Sequence, residues 1–231
     1  MKYLVKNLND TYYVRIRVCS KLIKYFRQRE ISKSLRTRNL KQAKAITFIK
    51  GDIKAYDDET ESPVLIGKIQ LYYCDMLSAC INGRSLFEVM DGHSATLEEF
   101  FAILYNPTTE EMKPFVSELL DIEIDECDKN ILIFNRIEIL PDYRGHGITK
   151  QVVNHCIRLF SNNCNVIALQ CYPLQLSKLD EEEIDDIQWH NSLQLDKLEQ
   201  DKKKAQKSLS SYYKSLGFIR IPRTNFMLIK K

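Results

Sequence analysis

The sequence predicts a mixed α+β fold, with a central sheet flanked by helices and a small basic β-β-β-α unit in front of it. Three observations carry this. Residues 1–54 hold 15 Lys/Arg against 3 Asp/Glu, while the remainder holds 19 against 28, so two oppositely charged units share one chain. Residues 131–172 read as strand, glycine turn, amphipathic helix and strand, a βαβ unit whose strands should run parallel. Residues 202–229 read as a helix stopped by Gly217 and a closing hairpin. The polar, acidic stretch 54–63 is the natural linker, giving units 1–61 and 62–231.

Composition sets the bounds. The chain has 231 residues, 44% of them hydrophobic, enough for a buried core, and 28% charged, as expected of a soluble protein. No stretch approaches the roughly 18 apolar residues of a membrane span, and residues 1–13 are polar where a signal peptide needs an apolar block. The seven cysteines form no C-x-x-C pair and sit mostly in apolar runs, so free thiols in a reducing cytoplasm are expected. The four histidines show no ligand spacing with them, so no metal site is predicted.

In the basic unit, Tyr3–Lys6, Tyr12–Val18 and Arg29–Leu35 read as strands. Tyr13, Arg15 and Arg17 alternate with Tyr12, Val14, Ile16 and Val18, which gives one basic and one apolar face. Thr37–Lys50 reads as a helix. Val64–Ile81 is apolar enough for a buried helix, and Asn82-Gly83 stops it. Leu86–Met90 reads as a short strand. Thr96 caps a helix to Tyr105, and Thr109 begins another that reaches Leu119. Leu120–Glu126 alternates Leu120, Ile122 and Ile124 with carboxylates, a strand expected to pair antiparallel with Ile131–Leu140.

The stretch 131–160 organises the rest. Ile131–Leu140 is rich in β-branched residues and stops at Pro141. Arg144, Gly145, His146 and Gly147 turn the chain, and from Ile148 the apolar residues recur at helical spacing: Val152, Val153, Cys156, Leu159, Phe160. A glycine turn feeding a helix start gathers backbone N–H groups at the positive end of the helix dipole, a site for an anion and most naturally a phosphate. Val166–Tyr172 is the second strand of the unit, ended by Pro173. A polar segment, residues 174–200, follows. Its Leu193, Leu195 and Leu198 leave open a lid, a homodimer contact or a solvated helix.

Two resemblances follow. The run YYVRIRV, then YFRQREISKSLRTRNLKQAKA, is similar to the N-terminal segment of phage-type tyrosine recombinases over the first 50 residues or so. It implies a nucleic-acid contact surface with Arg15, Arg17, Arg36 and Arg38 on phosphates. The alternative is a solvated basic face that docks on the acidic remainder. Nothing later resembles a recombinase catalytic domain. The order I-E-I-L-P-D-Y-R-G-H-G-I, helix, VIALQCYP, then S-Y-Y-K-S-L-G-F and a hairpin resembles the second half of a GNAT-family N-acetyltransferase. That resemblance implies a mostly antiparallel twisted sheet with a splayed parallel strand pair, and acetyl-coenzyme A as cofactor.

The same resemblance assigns residues. The turn and helix start (Arg144, Gly145, His146, Gly147, Ile148, Thr149) would cradle the pyrophosphate, with Thr149 departing from the family's Gly or Ala. Ile139 and Leu140 would bond the pantetheine arm through the main chain. Tyr213, four residues before Gly217, would be the catalytic acid, with Tyr212 as fallback. The base that takes the amine proton is Glu138 on the central strand or Glu123 on its expected neighbour. His146 and His155 are not expected to catalyse. The implied reaction is acetyl transfer to an amine of unidentified acceptor. The reading from another class is a nucleic-acid-binding or mobile-element accessory protein that keeps the scaffold without turnover.

Overall fold

A computed structural model describes residues 2–6, 12–17, 30–34, 45–56, 63–81, 83–124, 130–161, 164–177 and 187–231. The three expected N-terminal strands are present: β1 (Lys2–Lys6), β2 (Tyr12–Arg17) and β3 (Glu30–Ser34) form an antiparallel sheet in that order. Arg15 pairs in register with Tyr3 and Ser32, and Arg17 with Glu30. Arg36 and Arg38 lie outside the described residues.

The second sheet has six strands. β4 (Ile46–Tyr56), β5 (Pro63–Cys74), β6 (Ile131–Ile139), β7 (Val166–Gln170), β8 (Ile219–Arg220) and β9 (Phe226–Lys230) lie in the order β4-β5-β6-β7-β9-β8. Every pairing is antiparallel except β6–β7, which is parallel. Helices α1 (Met76–Ile81), α2 (Leu86–Asp91), α3 (Ala95–Leu104) and α4 (Pro114–Leu120) all precede β6. After it come α5 (Ile148–Phe160), α6 (Ile187–Ser192) and α7 (Lys202–Ser215). This mixed sheet with one parallel pair and flanking helices is broadly GNAT-like in topology. Among the described residues no helix is long and apolar enough to cross a membrane.

The two faces of the sheet bury different cores. Ile131, Ile133, Val166 and Ala168 pack with Leu86, Phe100, Phe101 and Val116 of the first four helices. Leu132, Phe134, Ile167 and Leu169 pack with Val152, Val153, Cys156 and Phe160 of α5. Such alternation is what period-2 strands covered on both sides produce.

Four expected elements differ, each for a physical reason. Residues 46–50 begin β4 rather than ending a helix. Ile46, Ile49 and Ile53 are spaced like a helix face, but β-branched residues fit a pleated surface better. Residues 37–44 of that expected helix lie outside the described residues. Lys54–Tyr56 end β4 and Pro63 opens β5, so the stretch read as a linker lies between two paired strands. Val64–Cys74 is strand because β5 is buried on both faces, which removes the alternation that marks a strand in sequence.

Leu86–Asp91 is helix α2, started by Ser85, whose Oγ accepts from Glu88 N. Glu110, far along the chain, adds acceptors to the same helix start at Leu86 N, 2.9 Å away. Residues 121–124 are not a strand. Over residues 131–134 both hydrogen-bonding edges of β6 are taken by β5 and β7, and Asp121 at φ 50 ends α4 instead. Glu123 is therefore exposed and off the sheet, which removes it as a strand-borne base. Smaller shifts are α3, capped by Ser94 rather than Thr96, and α4, which begins at Pro114 rather than Thr109.

Candidate active site

The site begins with an extra residue in β6. Gln70 pairs with Arg136 and Leu71 with Phe134, so Asn135 is a bulge. The bulge resets the alternation. Ile137 and Ile139 rejoin Leu132 and Phe134 on the α5 face. Arg136 and Glu138 therefore turn toward the opposite face, that of α1–α4. β6–β7 pairing also stops here, its last register pair being Phe134 and Leu169. Beyond that pair β6 runs on alone to Ile139, and a gap opens between the strands.

The gap is a cavity of about 510 Å³. It is lined by Asn135 to Ile139 of β6, by Arg144 ahead of α5 and Thr149 in its first turn, by Gln170 at the end of β7 and Tyr172 to Gln175 after it, and by Ala205, Leu209 and Tyr213 of α7. Leu193, Leu195 and Leu198 close one side. The cavity thus brings together Glu138, Ile139, Arg144, Thr149 and Tyr213. Leu140, Gly145, His146, Gly147 and Ile148 are not among its lining residues.

The glycine turn adopts the geometry that its composition demands. Gly145 (φ 79) and Gly147 (φ 73) both take left-handed backbone, and Gly147 is the N-cap of the 13-residue α5. No side chain caps this helix and no acidic residue stands in its first turn. The first helical bond runs from Gln151 N to Gly147 O, so the N–H groups of Ile148, Thr149 and Lys150 have no intrahelical acceptor. Arg144 is engaged elsewhere: its Nε donates to Ile139 O at 2.9 Å and its Nη2 to Leu193 O at 2.6 Å. Its side chain ties the end of β6 to the 187–198 segment.

Main-chain groups of β6 face the gap in a definite pattern. Leu140 N donates to Ile66 O across the β5 side. Alternation then turns the N–H of Ile137 and Ile139 toward the side that β7 has vacated. Leu140 is thus occupied, and Ile137 stands where a main-chain contact was expected of Leu140.

Tyr213 is placed by the end of α7. Phe218 N donates to Tyr213 O and Gly217 N to Lys214 O, a Schellman closure with Gly217 at φ 97. The Phe218 ring then packs edge-on against Tyr213 at 5.8 Å. Burial, with smaller contributions from Cys171 and Tyr212, holds the Tyr213 phenol well above its ordinary pKa, so it keeps its proton. Such a group can donate a proton and is a poor base.

Glu138 is 7% exposed, and both carboxylate oxygens are held. Oε1 accepts from Arg136 Nε at 2.5 Å and Oε2 from Trp189 Nε1 at 2.7 Å. Lys68, the register partner of Glu138, stacks its ammonium 4.6 Å from the Trp189 ring. Arg136 and Trp189 were not singled out by the sequence reading. Arg136 had a legible signal, being two residues before Glu138 in an otherwise apolar run. Trp189 had none, because its partner lies 51 residues away. His155 is buried on α5, where burial lowers its pKa, and does not line the cavity.

A family model described as a domain of unknown function (DUF6538) matches residues 3–48, the region of the three-stranded basic sheet. No curated protein matches the chain, and no solved structure matches it.

Proposed function

We propose that the chain is a GNAT-type N-acetyltransferase that uses acetyl-coenzyme A and acts on an amine. One observation supports it above the rest: the β6–β7 gap, Thr149 at the uncapped start of α5 and Tyr213 line one cavity. About 510 Å³ is within the range of small-molecule sites. The residues present suit the cofactor. The N–H groups of Ile148 to Lys150 are anion donors at a helix dipole. Those of Ile137 and Ile139 are free strand donors for an amide-bearing arm. Acetyl-coenzyme A supplies an activated acyl group there.

Glu138 takes the acceptor amine's proton, directly or through a water, and Tyr213 gives a proton to the leaving group. Overall one acetyl group moves from sulfur to nitrogen and one proton from amine to thiol. Saturating acetyl-coenzyme A should raise the melting temperature, since a ligand of the folded state must stabilise it. An unchanged melting temperature at millimolar cofactor removes the proposal.

For the basic segment ahead of β4 the proposal is a unit that meets a polyanion, with Arg15, Arg17, Arg36 and Arg38 as phosphate contacts. The net charge of +12 over residues 1–54 supports it. A mobility-shift assay with duplex DNA and with RNA at low salt tests it. Binding that weakens steeply with salt is expected, and no shift on either overturns it.

A further inference from the structure

The cavity has two sides, and the bulge at Asn135 separates them. The cofactor contacts proposed above, Ile137, Ile139, Arg144 and Thr149, lie with α5. Arg136 and Glu138 turn to the other face, where Gln170 also reaches Glu99 of α3 at 2.8 Å. Arg136 and Glu138 thus form the part of the cavity wall turned away from α5.

These two residues are an unusual pair to place in a cavity wall. The Arg136 side chain is only 18% exposed. Its single protein partner among the described residues is Glu138, through Nε. Both terminal guanidinium nitrogens, four N–H donors, remain unspent. No Arg136 nitrogen is both buried and unpartnered, so these donors stay open to an incoming acceptor, and their planar fork matches a carboxylate. Glu138 beside it is the natural partner of an ammonium or amine. Because the guanidinium and carboxylate touch, a ligand that satisfies both must carry its own opposite charges on groups borne by one carbon. An α-amino acid does. A plain amine satisfies only Glu138, and an amine with a distant carboxylate cannot reach both.

We propose that Arg136 and Glu138 form an acceptor subsite for a free α-amino acid, with Arg136 on the carboxylate and Glu138 on the α-amine. The assignment rests on the transferase reading for its chemistry but not for its binding. Trp189 completes the subsite by fixing the second oxygen of Glu138.

Isothermal titration of the full chain without cofactor tests the binding. The probes are L-leucine, L-phenylalanine, L-lysine and L-glutamate, each beside its decarboxylated amine. At least one amino acid should bind tenfold or more tighter than its own amine. Arg136→Gln should abolish that difference, and Arg136→Lys should restore part of it. Equal affinity for an amino acid and its amine, or no binding by any of the four, overturns the subsite, and both are read on the unaltered protein. If the preference is found but acetyl-coenzyme A leaves the melting temperature unchanged, the subsite stands and the transferase reading falls. If the cofactor binds and the amino acids do not, the reverse holds.

Discussion

Gly67 is where the sheet beside the site is most sensitive. It faces Ile139 across the β5–β6 ladder. A β-carbon added there would lie 2.4 Å from the Glu138 carbonyl oxygen, 2.8 Å from Ile139 Cδ1 and 3.0 Å from Ile53 Cδ1. The first contact is with backbone and cannot be relieved by a rotamer change, so β5 and β6 must separate. Overpacking of this kind costs about 1–3 kcal/mol. The gain from replacing a strand glycine by alanine, about 0.5–1 kcal/mol, offsets part of it. Taking the smaller offset, the net loss of about 0.5–2.5 kcal/mol should lower the melting temperature by roughly 1–10 °C in a chain of this size. Gly51→Ala is the internal control. Its β-carbon would meet only the end of a side chain, Ile69 Cγ2 at 3.2 Å, and the melting temperature should move by less than about 2 °C or rise. Differential scanning calorimetry of both variants decides. A Gly67→Ala protein as stable as the parent would refute the β5–β6 register, and with it the placement of Glu138.

Three further outcomes are expected. Tyr213→Phe should lower kcat by about 10²–10⁴ in a thiol-release assay with little change in melting temperature, because no hydrogen bond from its hydroxyl is formed among the described residues; a kcat within threefold of the parent would exclude Tyr213 as the acid. Thr149→Gly should leave acetyl-coenzyme A affinity intact or improve it, measured by calorimetry. A large loss would make the Thr149 hydroxyl a ligand. Thermal stability should fall as pH rises above about 8.5, the ordinary thiol value. Burial holds the thiols of Cys156 and Cys171 up to about 12 and about 11 and raises the Tyr105 and Tyr213 phenols as well. The unfolded chain then releases protons that the folded one keeps, so their stabilising contribution is whole below that pH and is lost above it. A flat profile between pH 8 and 11 would contradict these burials.

What could be read from the chain was what local chemistry decides. β6, the glycine turn and α5 appear at their expected places because Pro141, Gly145, Gly147 and the 3.6-residue apolar spacing all act within a few residues. The end of α7 is legible for the same reason, since Gly217 and Phe218 close it locally. The misread elements are those decided by distant partners. β5 looks like a buried helix because both of its faces are covered. α2 is completed by Glu110, 24 residues beyond Leu86. Residues 121–124 alternate well, but both edges of β6 over residues 131–134 are already paired. Within the site, the strand and turn positions were legible. Arg144's attachment to Leu193, the Asn135 bulge and the Trp189–Glu138 bond arise only in the folded chain.

The central claim is that the strand gap and the start of α5 together hold the cofactor. Amide hydrogen exchange with and without acetyl-coenzyme A tests it residue by residue. Protection is predicted at Ile148, Thr149 and Lys150 and at Ile137 and Ile139, with no comparable change at the start of α3, whose N-terminus Ser94 already caps. Saturating cofactor that leaves those five amides unprotected, or protects another part of the molecule instead, would contradict the account.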